Sequence, residues 1–455
     1  MAPFSESRRE MLSRVGKLTV TLGVASLLVQ PTTARRAAEA RQWLLRSGGV
    51  ARLRDGSLAP LRGRSLGDYD PRNAYGGTVS DLAPEQRENV ADSALAAASE
   101  FPNLPAALQP MLHRAVADLD ALTLPSGFVY ASWPSYWRYH WPRDAAFAAV
   151  AHALLAPGAP AQADRAVKIL ETSAACVGPG GEMPARLADP GSCAVPDSRP
   201  AQNDGPGWSA WALFQVAAAL TPENRFRLRP RLLALQETFA AALLALRAPG
   251  QYLPRSSPDY WEVPEKHLTL GIAGPYAAGV ASCAATAHLL GGGNALGDLP
   301  ARSREALDRD FAPYGYRRRA RFLSGHDAVV ATLLPPFAAA SPERLAALRA
   351  TLKEIAVPVG GVRPGTFWHD RATSWTPALS LLTVAQAQET QMRAQALANL
   401  SFLAEHLTAA GSLPEKINAS GLPAGVAPLT WTCANVIICA HTLGKARLPV
   451  PSFSG

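Results

Sequence analysis

The stretch YWRYHWPRDAAFAAVAHALLA, Tyr136 to Ala156, sets five rings and the ionic pair Arg143–Asp144 directly before an alanine-rich helix. Pro142 keeps the ring-rich part out of a regular helix and suits the first helical turn. A helix that only packs needs no such collar, so the stretch reads as a helix start that also walls a ligand site. Working outward, the same pattern recurs. Long Ala/Leu-rich segments of 3.6-residue period follow one another from about residue 85: RENVADSALAAASEF, ADRAVKILETSAACV, RLLALQETFAAALLALRA, SPERLAALRATLKEIA and TQMRAQALANLSFLAEHL. Strand alternation is rare, and the class is all-α.

Between these segments lie polar, aromatic loops marked by Asp144, Asp204, Glu262, Asp327, Asp370 and Glu415, spaced 60, 58, 65, 43 and 45 residues apart. Each interval holds about one helical hairpin, and a recurring interval of this size signals stacked repeats. Asp144, Asp204, Asp327 and Thr376-Pro377 stand where helices should begin, as N-caps or first-turn residues. Six such hairpins close into a ring, an (α/α)6 barrel, with all six loops at one mouth.

Composition agrees with a large globular core: 455 residues, 48% hydrophobic, 18% charged, net charge +8. The charge is not read as a nucleic-acid footprint, and a monomer without membrane insertion is expected. The basic helical stretch Ala34 to Arg54 reads as a solvated face. SRREML followed by the short apolar run GKLTVTLGVASLLV and PTTA reads as a twin-arginine export signal over 1–34. Residues 35–84 are then an N-terminal extension and 85–455 the barrel, in an exported protein. Of five cysteines, Cys176 and Cys193 flank a Gly/Pro-rich loop and are placed to bridge after export, while Cys433 and Cys439 lie in an apolar helix. No metal-ligand spacing is visible.

Two glutamates carry the chemistry. Glu262 follows Trp261 between prolines just before a helix, and Glu415 sits on a Gly/Pro/Asn-rich loop before the last one. A lone loop glutamate is usually solvated, but two on one rim make a carboxylate pair, as glycoside hydrolysis needs. Exposed rings stack on sugar faces, and Arg–Asp pairs hold vicinal hydroxyls by charge-assisted hydrogen bonds.

Five stretches, taken in order, resemble the glucoamylase family of glycoside hydrolases (family fifteen, with bacterial glucodextranases and trehalase-like members): YHWPRDAAF, RPAQNDGPGWSAWAL, PDYWEVPEKHLTL, GVRPGTFWHDRATSWTPALSL and GSLPEKINASGLPAGVAPLTW. The resemblance covers roughly Tyr130 to Leu443. It implies an inverting glycosidase that uses no cofactor, with Glu262 as general acid and Glu415 as general base. Arg143, Asp144 and Arg363 would bind sugar, with Trp141, Asp204, Trp261 and Trp431 completing the set.

The chain departs from the family in three places. Val263 follows Glu262 where a second glutamate is common. PGTFWHD replaces the usual Tyr-Pro-Glu-Asp type. SCAVPDS lacks the aromatic that fungal members place before RPAQNDGP. All three concern subsites beyond the first sugar. The reading is an exo-α-glucosidase that releases glucose from short α-glucans. A glucosyl-transferring relative on the same barrel and a non-catalytic carbohydrate-binding paralogue are the alternatives, and retention of both glutamates speaks against the second.

Overall fold

The computed structural model describes residues 45, 47–52, 58–60, 101, 103–157, 161–293 and 295–452; the export signal expected over 1–34 lies outside them. Among the described residues eleven α-helices dominate. Five of them, with one 3-10 segment, form an inner ring: α2 (Pro142–Leu155), α4 (Gly205–Ala219), α6 (Leu270–Leu290), the 3-10 segment Ala328–Leu333, α9 (Thr376–Gln388) and α11 (Thr430–Gly444). Each packs against the next, and α11 closes on α2. The outer layer is α1 (Gln109–Leu122), α3 (Ala161–Ala174), α5 (Pro222–Ala245), α7 (Leu299–Phe311), α8 (Pro342–Glu354) and α10 (Arg393–Glu405). The molecule is an (α/α)6 barrel.

Sequence explains the two layers. Inner helices are apolar all round because both flanks and both faces meet other helices; every residue of α2 is buried. Helix α6 is long and apolar enough to cross a membrane, but its apolar window is entirely buried in this ring. Outer helices such as α3 bury one stripe only. Where α4 and α6 meet, a Cβ on Gly207 would lie 2.4 Å from the carbonyl oxygen of Pro275, so the close approach needs glycine. The fourth inner element is not the α-helix expected after Asp327. Pro335 and Pro336 follow it, and the residue before a proline is pushed out of the helical region; Leu334 is extended (φ −126°, ψ 166°).

The loops before the inner helices join around one mouth. His140 bridges Leu187, and Thr269 bridges Arg319. Gln202 donates to the Asp259 carbonyl (3.2 Å). Asp327 bridges Gly365, and β3 (Ser374–Trp375) pairs with β4 (Lys416–Ile417), which pairs with β5 (Pro423–Ala424). Thr430 N donates to the Ala131 carbonyl (2.9 Å), closing the circle.

One turn below this mouth the barrel is plugged. Phe147 of α2, Trp208 and Trp211 of α4, and Phe337 are fully buried. Phe147 meets Trp208, Trp211, Phe337 and Trp431 of α11, and Phe337 meets both tryptophans of α4, with ring centroids 4.6–6.3 Å apart. Side chains from opposite sides of the ring can touch only in its interior. Each pair adds about 0.5–1.5 kcal/mol beyond its burial.

One compact unit begins at Leu45. Leu45 bridges Gly425, Ser47 Oγ bonds both the carbonyl and the amide of Ala427, and Thr408 Oγ1 donates to the Gly48 carbonyl (2.6 Å). β1 (Val50–Arg52) pairs antiparallel with β2 (Leu58–Pro60) and lies against α1.

Candidate active site

Asp144 and Asp204 stand at helix starts, as the sequence indicates, and neither makes a capping bond. Trp141 occupies the cap position of α2, and Asp144 lies in the first turn, where the helix dipole favours a carboxylate. Asp204 stands at the cap position of α4 but makes no capping bond; its Oδ2 accepts from Trp208 Nε1 at 3.3 Å. Only Asp327 caps as expected, accepting from Val329 N at 2.9 Å. Asp144 and Asp204 both lie beside Arg143. Its guanidinium lies 3.6 Å from Asp144, 3.7 Å from Asp204 and 3.9 Å from Glu262, and 5.0 Å over the ring of Trp431.

Those separations exceed hydrogen-bond range. Nε and Nη1 of Arg143 and Oδ1 of Asp144 are buried without a hydrogen-bond partner. Such groups are costly unless something polar meets them. Burial opposes the charge on Arg143, but Asp144, Asp204, Glu262 and Asp259 outweigh it and raise its pKa. Burial pushes Asp144 up to about 6 against the pull of Arg143, with Glu262 and Glu415 both adding to the rise. Burial likewise lifts Asp204 to about 7. Asp144 thus feels both glutamates, one from each side of the mouth.

Glu262 sits at φ +54°, a region a non-glycine residue seldom adopts. The turn is held from beneath by buried Asp259, whose carbonyl accepts from Glu262 N (2.7 Å) and whose Oδ1 accepts from Trp261 N (3.0 Å). Asp259 is fixed in turn by Thr269 Oγ1 (2.7 Å) and Arg318 (2.9 Å). Arg318 also bonds Asp327 (2.5 Å) and lies 3.8 Å over the Trp261 ring. The Glu262 carboxylate is gripped at both oxygens: Trp141 Nε1 donates to Oε1 (2.6 Å), and Arg199 Nη1 donates to Oε2.

Glu415 faces the site from the opposite loop. Its amide donates to the Val426 carbonyl (2.7 Å), and its carbonyl accepts from Thr376 N (3.0 Å). Lys416 Nζ lies 3.2 Å from Oε2 and 4.2 Å over the Trp375 ring. That oxygen is buried without a hydrogen-bond donor aligned to it. Gly425, at φ +75°, makes room: a Cβ there would lie 2.5 Å from Oε2 of Glu415.

The structure therefore gathers Arg143, Asp144, Trp141, Asp204, Trp261, Trp431, Glu262 and Glu415 at one mouth. Arg363 does not join them. Its Nη2 donates to the Glu354 carbonyl at the end of outer helix α8, and only the neighbouring backbone faces inward, where the Pro364 carbonyl accepts from Tyr260 (3.1 Å). Alternation along an extended segment explains the reversal: Val362 and Pro364 are buried, Arg363 between them is not. Two contributors escape the sequence reading. Arg199 lies within a family-like stretch but carries no signal of its own, and Arg318 looks like one of a basic run in YRRRARF. Among the described residues no group of three or more His, Cys, Asp or Glu side chains is arranged to hold a metal.

Solved structures share this architecture. A wild-type glycosidase aligns over 75% of this chain and 98% of its own, at 21% identity and TM-score 0.60. The glucoamylase of Saccharomycopsis fibuligera aligns over 74% and 95%, at 13% and 0.59. This chain has the glucoamylase fold. A bacterial glucoamylase complexed with acarbose aligns over 75% of the chain and 56% of its own, at 17% and 0.55. No family model and no curated protein matches the sequence.

Proposed function

We propose that the protein is an inverting exo-α-glucosidase of the glucoamylase kind, removing glucose from the non-reducing end of short α-glucans. The observation that carries this is the buried, hydrogen-bond-poor pair Arg143–Asp144, standing between Glu262 and Glu415 above an aromatic plug. Sugar hydroxyls are ligands that satisfy both a guanidinium and a carboxylate. The rings packed across the barrel below the mouth support entry by a chain end, the exo mode. Likeness to glycosidases and to a glucoamylase solved with acarbose supports the same reading.

In the reaction, Glu262 gives its proton to the glycosidic oxygen as the bond from that oxygen to the anomeric carbon breaks. Water attacks the opposite face of that carbon, and Glu415 takes the water's proton. Glucose leaves as the β-anomer, and proton exchange with solvent resets the pair. Arg143 and Asp144 hold the terminal sugar. Incubation with maltose, isomaltose, trehalose, dextran and soluble starch, followed in time by proton NMR, tests both substrate and stereochemistry. First appearance of α-glucose, or higher kcat/KM on starch than on disaccharides, overturns the reading at that point.

We also place the protein outside the cytoplasm. Arg8-Arg9 ahead of a short apolar run supports this, and so does the disulfide Cys176–Cys193 (Cα–Cα 5.4 Å). N-terminal sequencing of the exported protein should start near Arg35; a start at Met1 rejects the signal.

A further inference from the structure

Glu262 is held by groups that the reaction itself does not consume. Arg199, which donates to its Oε2, is tied through Nε to Asp197 Oδ2 at 3.2 Å. The same Asp197 oxygen accepts from Arg186 Nη2. The Arg186 guanidinium lies 4.5 Å over the Tyr139 ring and 5.1 Å over the Trp141 ring. Trp141 donates back to Oε1 of Glu262. Glu262, Arg199, Asp197, Arg186 and Trp141 thus close a circuit around the acid. Three of the five come from one loop, 175–204, which Cys176–Cys193 staples.

We propose that Asp197 is a positioning residue for the general acid, setting the orientation of the Glu262 carboxyl through both arms of this circuit. A glutamate on a strained turn still has three side-chain torsions to fix, and protonating a glycosidic oxygen tolerates only about 10–20° of error. Two guanidiniums converge on this corner. A carboxylate between them removes their mutual repulsion and lets each one hold a different side of Glu262. Without it Arg199 loses its anchor, and Arg186 loses the bond that presses it on Trp141. Asp197 reaches Glu262 only through Arg199 and, by way of Arg186, through Trp141.

The inference rests on Glu262 being the general acid, and leaving-group dependence separates the two. Maltose, whose sugar alkoxide needs protonation, is compared with α-glucosyl fluoride, whose fluoride needs little. Asp197→Ala should lose kcat/KM on maltose at least tenfold more than on the fluoride, and Asp197→Glu should recover part of that difference. Arg199→Gln cuts the same circuit at a partly exposed site and should show the same selective loss, should Asp197→Ala fold poorly. Equal losses on both substrates, or full activity of Asp197→Ala on maltose, overturns the positioning role while leaving the glycosidase reading intact. Wild-type protein that hydrolyses neither substrate defeats that reading, and this inference with it.

Discussion

Trp141 Nε1 donates a 2.6 Å hydrogen bond to Oε1 of Glu262, joining loops 121 residues apart in sequence. The donor is the cap residue of α2 and the acceptor sits on a strained turn before α6. The bond therefore fixes the proposed acid relative to the helix that carries Arg143 and Asp144. Trp141→Phe keeps the ring and deletes the donor. A hydrogen bond to an ionisable group contributes about 1.5–3 kcal/mol, so kcat/KM on maltose should fall roughly 10- to 150-fold. An unchanged rate shows that Arg199 alone suffices.

Glu262→Gln and Glu415→Gln should each cost at least ~10²–10⁴-fold in kcat on maltose, the range of lost general acid–base catalysis. Their signatures differ. Glu262→Gln should spare α-glucosyl fluoride relative to maltose, whereas Glu415→Gln should depress both alike, because water must be activated in either case. Near-wild-type rates in both variants remove these glutamates from the mechanism.

Gly425 offers a test of the proposed base that leaves its carboxylate in place. Alanine there puts a Cβ 2.5 Å from Oε2 of Glu415 and strains a residue at φ +75°. The strain costs about 1–2 kcal/mol of stability. The displaced carboxylate should lower kcat at least tenfold with a smaller change in KM. A variant that loses stability but keeps kcat shows that the Glu415 position is not critical.

Asp204 gives a pH test with a definite sign. Its pKa is about 7 folded against an ordinary value of 3.8. Between pH 4 and 7 the folded protein keeps a proton that the unfolded chain has lost. Stability from this group is therefore fully present below pH 4 and is lost as pH rises through 7, by on the order of 4 kcal/mol. Asp204→Asn should flatten the fall in Tm across that window. Parallel Tm profiles of wild type and variant exclude Asp204 as the group responsible.

Much of this molecule is written locally. Apolar inner helices, striped outer ones, and Pro/Asp-rich starts at recurring intervals are short-range signals, and they determine an all-α barrel with six loops at one mouth. The same loops mark Arg143, Asp144, Glu262 and Glu415, because rings and carboxylates before a buried helix have little packing purpose. Which way each side chain turns was decided by contacts distant in sequence. Asp144 and Asp204 make no capping bond and lie beside the buried Arg143 guanidinium, which belongs to a different contact set from the helix amides. Arg363 turns outward because its extended segment alternates against neighbours that sequence spacing does not reveal. Arg199 reaches Glu262 across 63 residues, and Leu45 and Ser47 reach the Glu415 loop across 380. Periodicity reports the faces of an element. The partner that meets each face exists only once the ring has closed.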